Sequence, residues 1–187
     1  MTVGRIICIL IGYAIGLFQT GYIYGKTQHI DIREHGSGNA GTTNTLRTLG
    51  FKAGAITFAG DCGKAILAIF ISWLIFHAQY PEGIKLLGMY AGLGAVLGHN
   101  YPFYMKFKGG KGIATSLGVL LMINWQIGLI CLVFALILMA ITRMVSVGSI
   151  AAAILFPVLV VFIGQNYIVP VNNWSYLIFS IIIAILV

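Results

Sequence analysis

Long apolar runs separated by two polar, glycine-rich loops constrain this chain more than any other feature. Hydrophobic residues occupy 59% of its 187 positions, and charged residues only 8%. A spanning helix needs about 20 apolar residues to cross roughly 30 Å of hydrocarbon, and the chain supplies several such runs. The sequence therefore predicts an all-α integral membrane protein that forms a single domain over residues 1–187.

The apolar runs predict a bundle of about seven transmembrane helices, some of them short. The run Ile113–Thr142 would be about 45 Å long as one helix, which is too long for one crossing and short for two. Because Asn124 interrupts this run, we divide it in two. The predicted spans are Ile6–Tyr24, Ala53–Phe76, Ile84–Tyr101, Ile113–Ile123, Ile127–Thr142, Val145–Gly164 and a last one beginning at Trp174.

Basic residues gather on one side of this topology. The chain has eleven basic and four acidic residues, a net charge of +7, and cytoplasmic loops of membrane proteins carry an excess of Lys and Arg. If the N-terminus lies outside the cell, most of the basic residues fall on the cytoplasmic side: Lys26, Arg33, Arg47, Lys52, Lys106, Lys108, Lys111 and Arg143. Arg143 would change sides if residues 113–142 crossed only once. Without a solvated basic domain, we expect no nucleic-acid binding.

Two smaller features complete the general prediction. Cys8, Cys62 and Cys131 lie singly in apolar runs, which is typical of inert buried thiols and not of a metal site. The last apolar run reaches Val187 without a polar residue, and a carboxylate near hydrocarbon is costly. We therefore expect the natural chain to continue beyond this position.

The first polar loop, Gly25–Lys52, contains the sequence REHGSGNAGTTNTLR. Its glycines alternate with small polar residues, so its early part cannot be a regular helix. A short helix is predicted from Thr42, ended by Gly50, and its N-terminus would present free N–H groups to an anion. Three polar side chains would share one face of this helix: Thr43, Asn44 and Arg47. The alternative is a flexible connector, although connectors seldom need polar side chains at this density.

The second polar loop reads GHNYPFYMKFKGGKG from Gly98 to Gly112. Glycine lets backbone N–H groups approach a ligand closely and lysine supplies charge, so the pattern suits a phosphate. The positive dipole end of a helix from Ile113 would add to this effect. The spacing of a Walker A motif is absent, and a nucleotide-binding loop is not predicted. The alternative is a glycine turn among lysines of a cytoplasmic loop, which suits Lys106 better than Lys108 or Lys111.

Three ionisable residues lie at the ends or inside of predicted spans. His99 ends the third span on the side of both loops, where it is either a site residue or an ordinary interface histidine. Asp61 and Lys64 lie three residues apart within the second span. Ionisable groups inside a membrane are functional candidates by default. An ion pair that joins helices is an equally good interpretation of these two.

The segments REHGSGNAGTTNTLR and GHNYPFYMKFKGGKGIAT closely resemble the first two signature motifs of the bacterial acyl-phosphate:glycerol-3-phosphate acyltransferases, the PlsY family. The resemblance implies a multi-pass enzyme of the bacterial cytoplasmic (inner) membrane, with its active site facing the cytoplasm. It would transfer a fatty acyl group from acyl phosphate to the sn-1 hydroxyl of glycerol 3-phosphate in phospholipid biosynthesis. The products would be lysophosphatidic acid and inorganic phosphate.

The resemblance also implies which cofactors and acyl donors the enzyme does not use. No metal or other cofactor is expected, and neither acyl-CoA nor acyl carrier protein would be the direct donor. Its partners would be the two substrates and membrane lipid, and we expect a monomer. The family carries a third motif, with a histidine, an asparagine and a glutamate, that would follow Val187.

Matched residue by residue, the two motifs imply a set of site residues. The catalytic candidates are Ser37, Arg47, Lys111 and His99. The substrate- and phosphate-binding candidates are Gly38, Asn39, Thr43, Asn44, Lys108, Gly109, Gly110 and Gly112. Arg47 and Lys111 would neutralise the phosphates, Ser37 would orient substrate, and N–H groups of the loop glycines would stabilise the carbonyl oxygen or the departing phosphate. The base is left open between His99, a residue after Val187 and the phosphate of the substrate itself.

Two other functions are open from the residues alone. An anion transporter could use the basic loops as a gate, and it would show matched broken helices in two repeated halves. The sequence shows no such repeat, and its polar residues lie in loops on one face. A purely structural membrane protein is a third alternative, and the polar density of both loops argues against it.

Overall fold

The computed structural model describes residues 1–162 and 173–187, and all regular secondary structure in these ranges is helical. The helices are α1 (Thr2–Gly16), α2 (Thr20–Thr27), α3 (Thr42–Leu49), α4 (Phe51–Phe76), α5 (Ile84–Asn100), α6 (Ile113–Ile123), α7 (Trp125–Thr142), α8 (Val145–Phe162) and α9 (Asn173–Leu186). Single 3₁₀ turns at Ile32–Glu34 and Phe103–Met105 lie in the two polar loops.

Length and surface composition confirm the predicted class, an all-α membrane protein. Four described segments are long and apolar enough to cross a membrane: Thr2–Thr27, Phe51–Phe76, Trp125–Thr142 and Val145–Phe162. The helices α5, α6 and α9 are shorter, with 17, 11 and 14 residues. Large apolar side chains on the outside of the bundle are exposed, among them Ile141 and Ile185. Such a surface is suited to lipid.

Most predicted spans coincide with observed helices. The helix Ile113–Ile123 is observed with the predicted bounds. The next one begins at Trp125, two residues before the predicted start, because the Asn124 side chain caps it by accepting a hydrogen bond from Ile127 N at 3.0 Å. The predicted end of the following span at Gly164, and most of the predicted connector 165–173, lie outside the described residues.

The first span differs from its prediction as one helix over Ile6–Tyr24. It is broken between Gly16 and Thr20, and Gln19 at the break is fully buried. The Gln19 amide nitrogen donates to the carbonyl oxygen of His99 at 2.9 Å. A polar side chain is stable in this interior position because it is hydrogen-bonded. Its partner lies 80 residues away along the chain, so hydropathy could not reveal the break.

Close packing of α1 against α5 brings this break to the end of α5. A methyl group added to Gly12 or Gly16 would overlap the backbone of Ala91 or Ala95, respectively. Glycines of α5 meet the α1 backbone in the same way, at Gly94 and Gly98. Small residues at such positions let two membrane helices approach closely.

Both polar loops lie at one end of the bundle, together with the start of α8. Lys111 of the second loop and Ser146 of α8 line the same pocket, and Asn100 at the end of α5 donates to the Leu186 carbonyl oxygen at 2.7 Å. Residues 113–142 therefore run into the bundle in α6 and return in α7 to the end from which they started. As a result, Arg143 lies at the same end as the loops, as the two-crossing prediction requires.

Candidate functional site

The first loop is held in shape by Asn44 of α3. The Asn44 amide nitrogen donates to the carbonyl oxygens of Ile32 at 2.9 Å and His35 at 3.0 Å. Its side-chain oxygen accepts from Ser37 N at 2.9 Å. The Asn44 side chain is buried and all these contacts are to backbone. Asn44 thus orders the loop, although the sequence pointed to it as a ligand-binding residue.

Ser37 lies between two glycines in the left-handed region, Gly36 with φ 59° and Gly38 with φ 71°. Glycine adopts this conformation without steric cost. A methyl group on Gly36 would overlap the side-chain oxygen of Asn44. The exposed Ser37 side chain is therefore presented by a backbone that is fixed on both sides.

The beginning of the first loop is fixed by an ion pair. Arg33 contacts the Asp31 carboxylate through Nε at 2.9 Å and a terminal nitrogen at 2.7 Å. Hydrogen bonding by the Arg33 guanidinium holds the pKa of Asp31 well below its usual range. The Arg33 guanidinium also lies 4.6 Å from the centre of the Tyr22 ring. Because Arg33 is committed to this structural role, it is not a candidate for binding phosphate.

The second loop folds back over the end of α5. Gly109 N donates to the Asn100 carbonyl oxygen at 3.0 Å, and Gly110 N donates to the His99 carbonyl oxygen at 3.1 Å. Methyl groups at these two positions would overlap the His99 carbonyl and the His99 ring, respectively. The glycines are therefore required by close packing against α5.

This packing corrects one part of the sequence prediction. The N–H groups of Gly109 and Gly110 were expected to bind an anion, and both are occupied by carbonyl oxygens of α5. The groups of this loop that remain available to an anion are the exposed Lys108 and Lys111 and the N-terminus of α6, which follows Gly112. Gly112 has φ 76°, so glycine is favoured there as well.

The two loops contact each other. The Asn39 amide nitrogen lies 3.4 Å from the Gly109 carbonyl oxygen, and the Asn39 side-chain oxygen accepts from Gly41 N at 2.9 Å. Beneath this contact Ile32 and Ala40 of the first loop pack with Met105 of the second in a small buried cluster. The predicted site residues of the two loops thus lie at one end of the bundle.

The remaining predicted residues also have clear positions. Arg47 is exposed on α3, one turn after the half-buried Thr43. Arg47, Lys108 and Lys111 form no ion pair within the described part of the chain. Their charges are therefore available to an anionic ligand from solvent.

A pocket of about 270 Å³ opens beside the second loop. Polar groups of Lys111, Asn100, Ser146 and Ser149 line it, and apolar side chains including Ile150 complete the wall. The two serines were missed in the sequence. They lie three residues apart in the first turns of α8, so they share a face, but only the fold brings that face to the lysine loop.

Below the loops, Asp61 and Lys64 of α4 meet His99 of α5 in the interior. Lys64 Nζ lies 3.2 Å from Asp61 Oδ1 and 2.6 Å from His99 Nδ1. All three side chains are buried, and Thr20 donates to Asp61 Oδ1 at 3.2 Å. The predicted ion pair between Asp61 and Lys64 exists, and it includes His99, which the sequence did not connect to it.

Within residues 1–162 and 173–187, no group of three or more His, Cys, Asp or Glu side chains is arranged to hold a metal ion. Cys8, Cys62 and Cys131 are buried and free, as predicted.

Comparisons with known proteins agree on one family. A family model described as glycerol-3-phosphate acyltransferase matches residues 6–187. The chain is 43% identical over 155 residues to the glycerol-3-phosphate acyltransferase of Thermoanaerobacter sp. (strain X514), covering 82% of this chain and 75% of that protein. It is 39% identical over 184 residues to that of Prochlorococcus marinus (strain MIT 9312), covering 98% and 88%.

Solved structures resemble the fold over nearly its whole length. A crystal structure of PlsY (YgiH), an integral membrane glycerol 3-phosphate acyltransferase, in its glycerol 3-phosphate form matches with a TM-score of 0.83 and 32% identity, covering 97% of this chain and 85% of that one. The lysophosphatidic acid form of PlsY matches with a TM-score of 0.81 and 31% identity, with the same coverage.

Proposed function

Because the chain belongs to the glycerol-3-phosphate acyltransferase family, we propose that it transfers a fatty acyl group from acyl phosphate to the sn-1 hydroxyl of glycerol 3-phosphate. Acylation of glycerol 3-phosphate in phospholipid synthesis is the activity that the family supports. The observation that carries the finer assignment is the contact of two loops through Asn39 and Gly109, with the exposed cations Arg47, Lys108 and Lys111 on them.

The reaction exchanges one bond to the acyl carbon for another. The hydroxyl oxygen of glycerol 3-phosphate attacks the acyl carbonyl carbon and forms the ester bond. The bond between that carbon and the bridging oxygen breaks, phosphate leaves with the electron pair, and the hydroxyl proton ends on the released phosphate. Because phosphate is already a good leaving group, catalysis can rest on positioning and charge stabilisation.

Each predicted residue has a role that its position allows. Arg47 and Lys111 neutralise the phosphates of the two substrates, since charge-assisted hydrogen bonds to phosphate are the strong ones. Ser37 orients substrate from its fixed turn. The supporting residues are Gly38, Asn39, Thr43 and Lys108, which line the site, and Asn44, Gly109, Gly110 and Gly112, which hold the loops in place.

The pocket beside the second loop suits the smaller substrate. Its volume of about 270 Å³ lies near the lower end of ligand pockets, which begin at roughly 300 Å³. A lysine, an asparagine amide and two serine hydroxyls are appropriate partners for a compact, polar phosphate ester. The acyl chain of the donor would instead extend along the apolar surface towards lipid.

We propose that the site lies at the membrane interface. One substrate is water-soluble and the other carries an acyl chain, so both can reach a site only where bilayer meets water. The end of the bundle that carries both loops also carries most basic residues, which supports a cytoplasmic orientation in the bacterial inner membrane. We propose that a single copy of the chain is sufficient for activity.

The test is inorganic phosphate release by the purified protein from palmitoyl phosphate and glycerol 3-phosphate. We expect release that depends on both substrates, with lysophosphatidic acid acylated at sn-1 as the product. Palmitoyl-CoA and palmitoyl acyl carrier protein should give no product when offered instead. Product formation from either thioester, with none from acyl phosphate, would contradict the proposed donor.

A further inference from the structure

We propose that Lys64 and Asp61 hold His99 as a neutral imidazole with its proton on Nε2, so that His99 is a hydrogen-bond donor at the second loop and not a base. This inference deepens the proposed function and rests on it for the identity of the ligand. The arrangement of hydrogen bonds around Lys64 carries the argument.

Lys64 has one acceptor for each of its three protons. Its Nζ lies 2.7 Å from the Phe18 carbonyl oxygen, 3.2 Å from Asp61 Oδ1 and 2.6 Å from His99 Nδ1. An ammonium group has three donors and no acceptor. The ring nitrogen Nδ1 therefore accepts from Lys64 and carries no proton, which leaves the proton of a neutral ring on Nε2.

The charges in the interior favour the same assignment. The ammonium of Lys64 and the carboxylate of Asp61 balance each other, whereas a neutral amine would leave a buried carboxylate without a counter-charge. A protonated His99 would direct its Nδ1–H at the ammonium. That arrangement would put two positive charges beside a single carboxylate.

The geometry differs from that of a histidine base. In such a base a carboxylate accepts from one ring nitrogen, which leaves the other free to take a proton. The distance from His99 Nδ1 to Asp61 Oδ1 is 3.7 Å, and Lys64 occupies the nearer position at 2.6 Å. The carboxylate thus acts on the ring through the ammonium, which makes Asp61 and Lys64 positioning residues.

The opposite edge of the ring faces the second loop. A methyl group on Gly110 would overlap His99 Nε2, and Gly110 N donates to the His99 carbonyl oxygen. No hydrogen bond to Nε2 comes from residues 1–162 or 173–187, although the His99 side chain is only 3% exposed. An Nε2–H with no partner in these residues is free to donate to a ligand. We assign its acceptor to an oxygen of the phosphorylated substrate held by this loop.

The break in the first span serves this arrangement. The Phe18 carbonyl that accepts from Lys64 lies in the break, and Gln19 next to it donates to the His99 carbonyl oxygen. Lys64 of α4 and Gln19 of the break thereby fix the position of His99 from two segments. Such support is what a donor aimed at developing charge requires.

Two substitutions at His99 separate a donor from a base. In His99→Gln the amide nitrogen can lie near the former position of Nε2, whereas in His99→Asn the shorter amide reaches only towards Nδ1. We expect the Gln variant to keep kcat/KM within about tenfold of wild type and the Asn variant to lose on the order of 100-fold or more, the range for loss of one such donor. Thermal unfolding in detergent should show both variants folded, and the exposed His77 of the opposite end supplies the control His77→Gln.

Nitrogen NMR of the full-length protein labelled with ¹⁵N-histidine tests the tautomer without any activity measurement. The resonance absent from His99→Gln identifies His99. A neutral ring protonated on Nε2 near neutral pH is the expected result, and an Nδ1–H tautomer or an imidazolium would overturn the inference. It would also be overturned if the folded Gln and Asn variants lost activity equally, or if neither lost any. A correct tautomer in a protein inactive towards acyl phosphate would instead contradict only the proposed function.

Discussion

The amide nitrogen of Asn39 lies 3.4 Å from the carbonyl oxygen of Gly109, joining loops that are separated by 70 residues of chain. Each loop alone resembles a solvated connector between membrane helices. Their contact, supported by the buried cluster of Ile32, Ala40 and Met105, places exposed cations from both loops at one end of the bundle. We expect two substrates, each carrying one phosphate, to be bound there.

The first prediction concerns Arg47, which is exposed and contributes charge without packing. Arg47→Ala should lower kcat/KM for phosphate release by at least about 100-fold, because a bidentate contact to phosphate is lost. The free energy of unfolding should change by less than about 0.5 kcal/mol, as for most surface substitutions. Lys52→Ala removes an exposed positive charge five residues further on and should retain near-normal activity. Equal activity of the two variants would remove Arg47 from the site.

Lys111 should act mainly on substrate affinity. It lines the pocket beside the second loop and forms no ion pair in the described ranges. We expect Lys111→Ala to raise KM for a phosphorylated substrate by on the order of tenfold or more, since a charged hydrogen bond contributes roughly 1.5–3 kcal/mol. Lys85→Ala, at the opposite end of the bundle, is the control. An unchanged KM for both substrates would contradict the assignment.

Gly110 tests the packing of the second loop. Because a methyl group there would overlap the His99 ring, Gly110→Ala should displace the loop and reduce activity towards both substrates. Gly63→Ala on α4 is the matched control, since an added methyl group meets nothing within 4 Å there. Steady-state kinetics and thermal unfolding of the two variants check the difference.

Substitution of Asn44 tests whether this residue holds the first loop in one conformation. Asn44→Ala would leave the backbone groups of Ile32, His35 and Ser37 without their partner. An unmet buried hydrogen bond costs about 1–3 kcal/mol. Faster amide hydrogen exchange over residues 32–37, with lower activity, is therefore expected. Unchanged exchange in this segment would show that Asn44 does not order the loop.

Hydrophobic length and turn chemistry predicted much of the fold. The helix Ile113–Ile123 has its predicted bounds, and the short helix from Thr42 ends before Gly50, whose φ of 85° explains why a glycine stands there. These features depend on local sequence. The division of residues 113–142 at Asn124 could also be predicted from local sequence, because the Asn124 side chain caps the helix that follows it.

Other features depend on partners that are distant in sequence. The break at Gln19 is stabilised by His99, and the glycines of the second loop are required by the end of α5. Ser146 and Ser149 join the pocket only because α8 begins beside Lys111. A pattern along one segment carries no information about such contacts.

Labelling of Ser37→Cys and Lys111→Cys with a membrane-impermeant maleimide tests the central claim most directly. The native cysteines are buried, so the two introduced thiols should dominate the signal. We predict that both positions react from the same side of the membrane and that glycerol 3-phosphate together with a non-hydrolysable acyl phosphate analogue slows both reactions. Reaction from opposite sides, or protection of only one position, would contradict a single site built from the two loops.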